Sequence, residues 1–295
     1  METTSTKGLK TITLDELQQS VTENDLGRTP INGITMYDYF SEALDCISKN
    51  KVKFDLGEIF VSDAGGIKIP GISVIPKLEE IYGQGSVKAH IFRRGITNIT
   101  FPEYGDDDST SGIALNFFQG GMQLAYGHNI RICTNLNIYG GTIISSYGIK
   151  GVGVKRMVDV LTGWIHKLGA LRQQDLYIQE RLREITLKPE EYKLVLGDLI
   201  LNAVKDAYID SRSISILNIG QVTALTRAML EAGEKLVTAD DLLNFGTQVV
   251  KPHNTSTSNL IDHLGSYGTY ITKRYVPELE LIDFSDKATV PLHQD

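Results

Sequence analysis

Apolar residues recur along the chain in two different periods, and the change from one to the other falls near its middle. Ile113, Leu115 and Phe117 alternate with other residues, as do Met122, Leu124 and Tyr126, and then Ile130, Ile132, Thr134, Leu136 and Ile138. A period of two is that of half-buried antiparallel strands. The QGG between the first two sets is short and glycine-rich, as a hairpin of adjacent strands requires. The same strand-like pattern, broken by glycine turns, runs back to about residue 52. Ahead of it two helices are predicted. In TLDELQQSV, Thr13 is the N-cap and Glu16 its capping-box partner. In ITMYDYFSEALDCISKN, the residues Ile34, Tyr37, Phe40, Ala43, Leu44 and Ile47 share one helix face. KLEEIYGQ adds a third, shorter helix.

Beyond a glycine-rich joint the period becomes helical, over residues 153–185, 189–209, 218–232, 238–250 and 257–274, with Pro189, Gly220, Gly233 and Pro252 as punctuation. Strands first and helices second define an α+β fold rather than an alternating α/β one. The expected organisation is a disordered tail over 1–10, a mixed, mainly antiparallel β region over 11–145, and a helical region over 146–295. The last is packed on the β half or continuous with it.

The strongest pattern is a heptad stripe. Val154, Met157, Leu161, Trp164, Leu168, Leu171, Asp175, Ile178, Leu182 and Ile185 follow one another at spacings of three and four. One unbroken helix over these 32 residues would be about 48 Å long. The stripe fits either the core face of an intramolecular bundle or a helix-mediated oligomer in which Asp175 fixes the register. Gly163 and Gly169 weaken this helix by roughly 1 kcal/mol each relative to alanine. Close approach of a neighbouring helix is one reason to tolerate them.

Composition narrows the setting. Of 295 residues, 41% are hydrophobic and 22% charged, an ordinary globular balance. The net charge of −7 weighs against binding polyanions with the whole surface and leaves only a local basic face for that purpose. The two cysteines, Cys46 and Cys133, form neither a disulfide framework nor a CxxC pair, which suits a reducing, cytoplasmic setting. METTSTKGLK has no apolar segment of signal-peptide type, and no apolar run is long enough for a membrane span, so no membrane partner is expected.

Catalytic motifs find little support. In SSYGIKGVGVKRMVD, Gly148 and Gly153 have the spacing of a phosphate loop, but Val154 precedes Lys155 and Arg156 stands where a metal-binding hydroxyl belongs. The stretch reads first as a joint, with a backbone contact to nucleic acid as the functional alternative, because free N–H groups at a helix start favour anions. Asp106, Asp107 and Asp108 lack the EF-hand pattern and read as a solvated turn. The six histidines show no zinc-site spacing. Ser266 is not in a nucleophile elbow, and Cys133 reads as a core thiol. No cofactor or metal is expected.

Basic residues beside aromatics are more suggestive. Phe92 precedes Arg93 and Arg94, Tyr126 precedes Arg131, and Lys150, Lys155 and Arg156 follow. A sheet face carrying arginines and aromatics binds single strands by phosphate pairing and stacking, with Phe92 and Tyr126 as the stacking residues. Otherwise these arginines solvate a sheet edge or pair with the surplus carboxylates.

The segment TSGIALNFFQGGMQLAYGHNIRICTNLNIYGG, with Arg131, Cys133, Thr134, Asn135 and Leu136, resembles a family of uncharacterised phage/plasmid-like proteins. The C-terminal helices are similar to it in layout, through Asn259, Leu260, Tyr267 or Tyr270, and Thr272. The resemblance implies a phage or plasmid context and carries neither a reaction nor site residues. The expected function is therefore that of a non-enzymatic phage or mobile-element protein in the host cytoplasm, homo-oligomeric, binding single-stranded DNA or RNA. A structural or assembly component of a phage particle is the first alternative, and an unrecognised enzyme the second.

Overall fold

The computed structural model describes residues 9–18, 21–22, 35–63, 91–118, 121–130, 135–137, 143–147, 153–208, 216–232, 237–250 and 257–278. Nine of the described strands form one sheet: β1 (Leu9–Ile12), β2 (Val21–Thr22), β3 (Asp55–Leu56), β4 (Ile59–Asp63), β5 (Ile91–Gly105), β6 (Ser109–Phe118), β7 (Gly121–Ile130), β8 (Asn135–Asn137) and β9 (Ile143–Tyr147). The main path runs β1-β4-β5-β6-β7-β8, with β2 and β3 added along β5 and β9 along β7. Every pairing is antiparallel except β2 with β5.

The expected hairpin is present. Phe118 pairs with Gly121, which sets Phe117 against Met122, Leu115 against Leu124 and Ile113 against Tyr126. The alternating apolar residues thereby share one face. Of the third alternating set, Ile130 ends β7 and Leu136 lies in β8; the rest, like the helix at KLEEIYGQ and residues 1–8 of the tail expected over 1–10, lies outside the described residues, while Leu9 and Lys10 of that tail belong to β1.

The described helices are α1 (Leu14–Gln18), α2 (Met36–Lys49), α3 (Gly153–Ile165), α4 (Leu168–Glu184), α5 (Pro189–Tyr208), α6 (Ile219–Ala232), α7 (Ala239–Val249) and α8 (Thr257–Tyr275). Several of their starts follow capping chemistry. At α1 the Thr13 hydroxyl accepts from the Glu16 amide at 3.1 Å, and the Glu16 carboxylate accepts from the Thr13 amide at 2.7 Å. The same reciprocal box, Thr35 with Asp38 and Thr238 with Asp241, opens α2 and α7. A short ladder of β10 (Thr186–Leu187) with β11 (Val237–Thr238) ties the chain ahead of α5 to the chain ahead of α7.

Helices cover both faces of the sheet. On one face Ile99, Phe101, Ile113, Leu115, Phe117, Met122, Leu124 and Tyr126 pack with Tyr39, Phe40 and Ile47 of α2 and with Leu161 and Trp164 of α3. Ile96, Ala114 and Ala125 point to the other face, where they join a core built from α4 to α8. The small side chains of Ala114 and Ala125 leave room for α8, which crosses this face. Both cores join the strand half to the helical half. The α2 face differs from the expected one: Tyr39 and Cys46 are buried, and Tyr37 is only partly covered.

The expected single helix over 153–185 is two helices. His166 and Lys167 form a turn between α3, of 13 residues, and α4, of 17. There the Lys167 amide bonds back only three residues, to Trp164, and the next turn restarts with Leu171 on Lys167. The reason lies in the stripe. Met157, Leu161, Trp164, Leu168 and Leu171 belong to one core, whereas Ile178 and Leu182 belong to the other, with Ile185 packed against it. A straight rod cannot face both sides of a sheet, so the chain breaks and passes over the sheet's end. The stripe from Met157 to Leu182 is consumed within the chain and leaves no seam there for a second copy. Gly163 and Gly169 have open space where a Cβ would be, so no close helix approach explains them.

Gly246 is different. A Cβ there would overlap the ring of Tyr267, which is fully buried and donates its hydroxyl to the Leu242 carbonyl at 2.6 Å. Gly246→Ala is expected to destabilise the fold by about 1–3 kcal/mol, the range for overpacking a filled core. Urea unfolding measures this; an unchanged midpoint would mean that α7 and α8 are not in contact as described.

Candidate functional site

Where α4 passes over the end of the sheet it carries three polar residues on its inner side, Arg172, Asp175 and Gln179, at spacings of three and four. All three are buried, Arg172 and Gln179 against the turn joining β5 to β6. Asp106 folds that turn by accepting the amides of Asp108 at 2.9 Å and Ser109 at 2.8 Å. Arg172 then bonds Asp106, the Ser109 hydroxyl at 3.0 Å and the Ser109 carbonyl at 3.3 Å. Gln179 reaches the same hydroxyl at 3.3 Å. The aspartate triplet is thus an exposed turn, as expected, with Asp106 also serving as the anchor for α4.

Deeper in, the Tyr126 hydroxyl donates to Asp175 Oδ2 at 2.6 Å and lies 3.0 Å from Ser111 Oγ. The edge of the Trp164 ring closes over Tyr126, with centroids 6.4 Å apart. Asp175 is 1% exposed, and its Oδ1 has no hydrogen-bond partner among the described residues. Desolvation pushes its carboxyl up to about 7, against the opposing pull of the Tyr126 hydrogen bond and of Arg172. Burial, with the Asp175 charge, also raises the Tyr126 hydroxyl. His128, fully buried on β7, is pushed down to about 3 by desolvation and by Arg172 and Arg183, which outweigh Asp106. Despite the cost of desolvation, the Ser109 and Asp108 amides and Arg172 hold the Asp106 carboxyl below its usual value. This is a sealed polar seam. Its Asp175 carboxyl takes up a proton more readily than a free one, but Ser111, Tyr126, His128 and Asp175 are all buried and present no atom to a substrate.

Among the described residues, the expected basic and aromatic residues lie on separate elements, β5, β7 and α3. Tyr126, expected to stack on bases, is 1% exposed and bonded to Asp175, because its face of the sheet is covered by α2 and α3. Phe92, Arg93 and Arg94 are consecutive positions of β5, and Arg94, which shares the Ile96 face, is half-buried. Arg131 and Lys150 lie outside the described residues. Lys155 and Arg156 occupy the first turn of α3, which has no acidic residue; Lys155 is exposed and Arg156 half-buried, its Nε without a partner among the described residues. Val154 precedes them in the same turn. Asp175, read as a register-setting break, has its register role inside the chain.

A second feature lies on the outer side of α5 and α6. Their inner faces, through Val195, Leu199, Leu225 and Met229, belong to the core. Yet a groove of about 430 Å³ opens between them, lined by Ile200, Val204, Ile219, Thr223, Thr226 and Leu230, with Arg227 as its charged residue. Leu201 beside it and Leu230 within it are 70% and 71% exposed. The signal for this surface was present in the sequence. YKLVLGDLILNAV has more apolar positions than one helix face can bury, and a helix apolar on two sides needs a second neighbour. No described helix is long and apolar enough to cross a membrane.

In comparisons with known proteins, the chain matches no family model, no curated protein and no solved structure.

The seam makes a pH-dependent prediction. The Asp175 carboxyl titrates near 3.9 in an unfolded chain and at about 7 in the folded one. The folded state therefore binds the proton more tightly, and the contribution of Asp175 to stability is greatest below about pH 4 and is lost as pH rises toward 7. His128 has the opposite sign, so the test is the difference between two proteins. Asp175→Asn, which keeps an acceptor for Tyr126, is expected to gain stability relative to the native chain between about pH 4 and 7 and to level off above. Denaturant unfolding across that range measures it; a pH-independent difference would rule out the tighter proton binding at Asp175 in the folded state.

Proposed function

We propose that the chain acts by association rather than by chemistry, as a structural or assembly component of a phage or another mobile element. The observation that carries this reading is the exposed apolar surface of α5 and α6, where Leu194, Ile200, Leu201, Val204, Ile219 and Leu230 stand clear of the core their own helices build. Exposed apolar surface around such a groove is what protein interfaces cover. The buried state of Tyr126, His128 and Asp175 supports a non-enzymatic role, since these titratable groups are out of reach of a substrate. The phage or plasmid context rests on the resemblance carried by Arg131 to Leu136.

Sedimentation of lysates from cells producing the chain, together with purified particles where a phage source exists, tests this reading. The native chain is expected in fast-sedimenting fractions, and the double variant Leu201→Glu, Leu230→Glu in the slow ones. Both residues are exposed, so the substitutions spare the core. Identical profiles for the two proteins would count against association through this surface.

One observation favours a second reading, binding of single-stranded nucleic acid. Lys155 and Arg156 stand at the positive end of the α3 dipole, an unfavourable place for cations unless an anion sits against them. Fluorescence anisotropy with a labelled single-stranded DNA at low salt is expected to give salt-dependent binding, weakened roughly tenfold or more by Lys155→Glu with Arg156→Glu. Equal binding by native chain and variant, or none, would remove this reading.

A further inference from the structure

We infer that the α5–α6 groove is the seat of a second copy of this chain, docked about a two-fold axis with the two α6 helices antiparallel. The inference rests on the association reading above and names its partner. It starts from the spacing on α6. Ile219, Thr223, Thr226 and Leu230 all line the groove, and their steps of four, three and four residues read the same in both directions. At 100° per residue they form one narrow stripe.

A two-fold axis between Thr223 and Thr226 therefore sets Ile219 of each copy against Leu230 of the other, and threonine against threonine. Isologous pairing of this kind requires a self-complementary patch. The threonines do not spoil its apolar character. Thr223 donates to the Ile219 carbonyl and Thr226 to the Val222 carbonyl, both at 2.8 Å, so neither hydroxyl requires a donor or acceptor from across the interface. Leu230, the most exposed large apolar side chain of the described residues, becomes the knob that enters the groove of the partner between Ile200, Val204 and Ile219.

Charge at the ends of α6 agrees with the antiparallel arrangement, and Arg227, the charged residue of the groove, is exposed. The first turn of α6 contains no acidic residue, although a helix start carries about half a positive charge. In the antiparallel pair, exposed Glu231, next to Leu230, arrives at that end of the other copy. A parallel pair would place Glu231 beside Glu231.

Light scattering coupled to size exclusion on the purified full chain tests the proposal. The native chain is expected at twice its 32.6 kDa mass, and Leu230→Glu at the single mass with an unchanged far-ultraviolet dichroism spectrum. Orientation is read by mixing Ile219→Cys chains with Leu230→Cys chains under a short bismaleimide. The mixed product is expected to dominate over what the native cysteines give. A native chain that stays at 32.6 kDa, a dimer that survives Leu230→Glu, or cross-links only between like positions would each overturn the pairing. A single-mass native chain whose lysate still shows the sedimentation shift would leave the association reading standing with a different protein as partner.

Discussion

A helix that serves two hydrophobic cores must hold its polar groups where it passes between them, and that constraint organises this molecule. α4 begins with Leu168 and Leu171 in the core under α2 and α3 and ends with Ile178 and Leu182 in the core under α8. Between them it crosses the end of the β5–β6 hairpin, whose turn is closed by Asp106 and Ser109. Arg172 and Gln179 meet that turn at Ser109, and Asp175 meets Tyr126 of β7. Their polarity is the condition for the crossing, since a buried carbonyl or hydroxyl left without a partner costs more than the bond itself contributes. Asp175 is the least settled member. It relieves Tyr126 of an unpaired hydroxyl while remaining half-satisfied, and it lowers its own burial cost by keeping its proton near neutrality.

Covering both faces of the sheet has a consequence for function. Sheets that bind single strands by stacking leave one face open, whereas here the aromatic and apolar residues of β5 to β7 are enclosed on both sides. The strands become a scaffold, and the surfaces that can recognise anything are moved outward. The outermost such surface among the described residues is the α5–α6 pair. It is joined to the rest through α7, which packs on both α6 and α8, and Asp198 of α5 also accepts from Arg274 of α8 at 2.9 Å and from Tyr270 at 3.1 Å.

Much of this was legible in the sequence, for identifiable reasons. Alternation at Ile113, Leu115 and Phe117 fixed a strand face because period two has no competing interpretation over that length. The Thr13 box and the punctuation by Pro189 and Gly233 placed helix ends to within a residue or two. The break at His166 was not legible, because two residues of turn leave the three-and-four spacing of the stripe undisturbed. Nor was the fate of Tyr126. An aromatic on an alternating strand has the same local signature whether its face is covered or open, and only the fold of α2 and α3 over it decides. Asp175 could be recognised as a polar interruption of the stripe, but its partner lies 49 positions away in the chain, beyond the reach of any local pattern.

The apolar surface on α5 and α6 is not a sign of a poorly filled core. Val195, Leu196, Leu199 and Ala203 on one helix, and Val222, Leu225 and Met229 on the other, are buried and supply the inner contact. Asn218 and Gln221 close a reciprocal cap on α6, each accepting the other's amide at 2.8–2.9 Å. The pair is therefore complete as part of the fold before the outer residues are considered. Those outer residues bring no benefit to the folded monomer comparable to their size, since a side chain left in water gains nothing of the roughly 25 cal/mol per Å² that burial provides. Threonine at the centre of the stripe keeps it shallow, and leucine at its edge makes it protrude. A groove with its own knob is a shape that a second copy can match, which is why the surface is better explained by association than by incomplete packing.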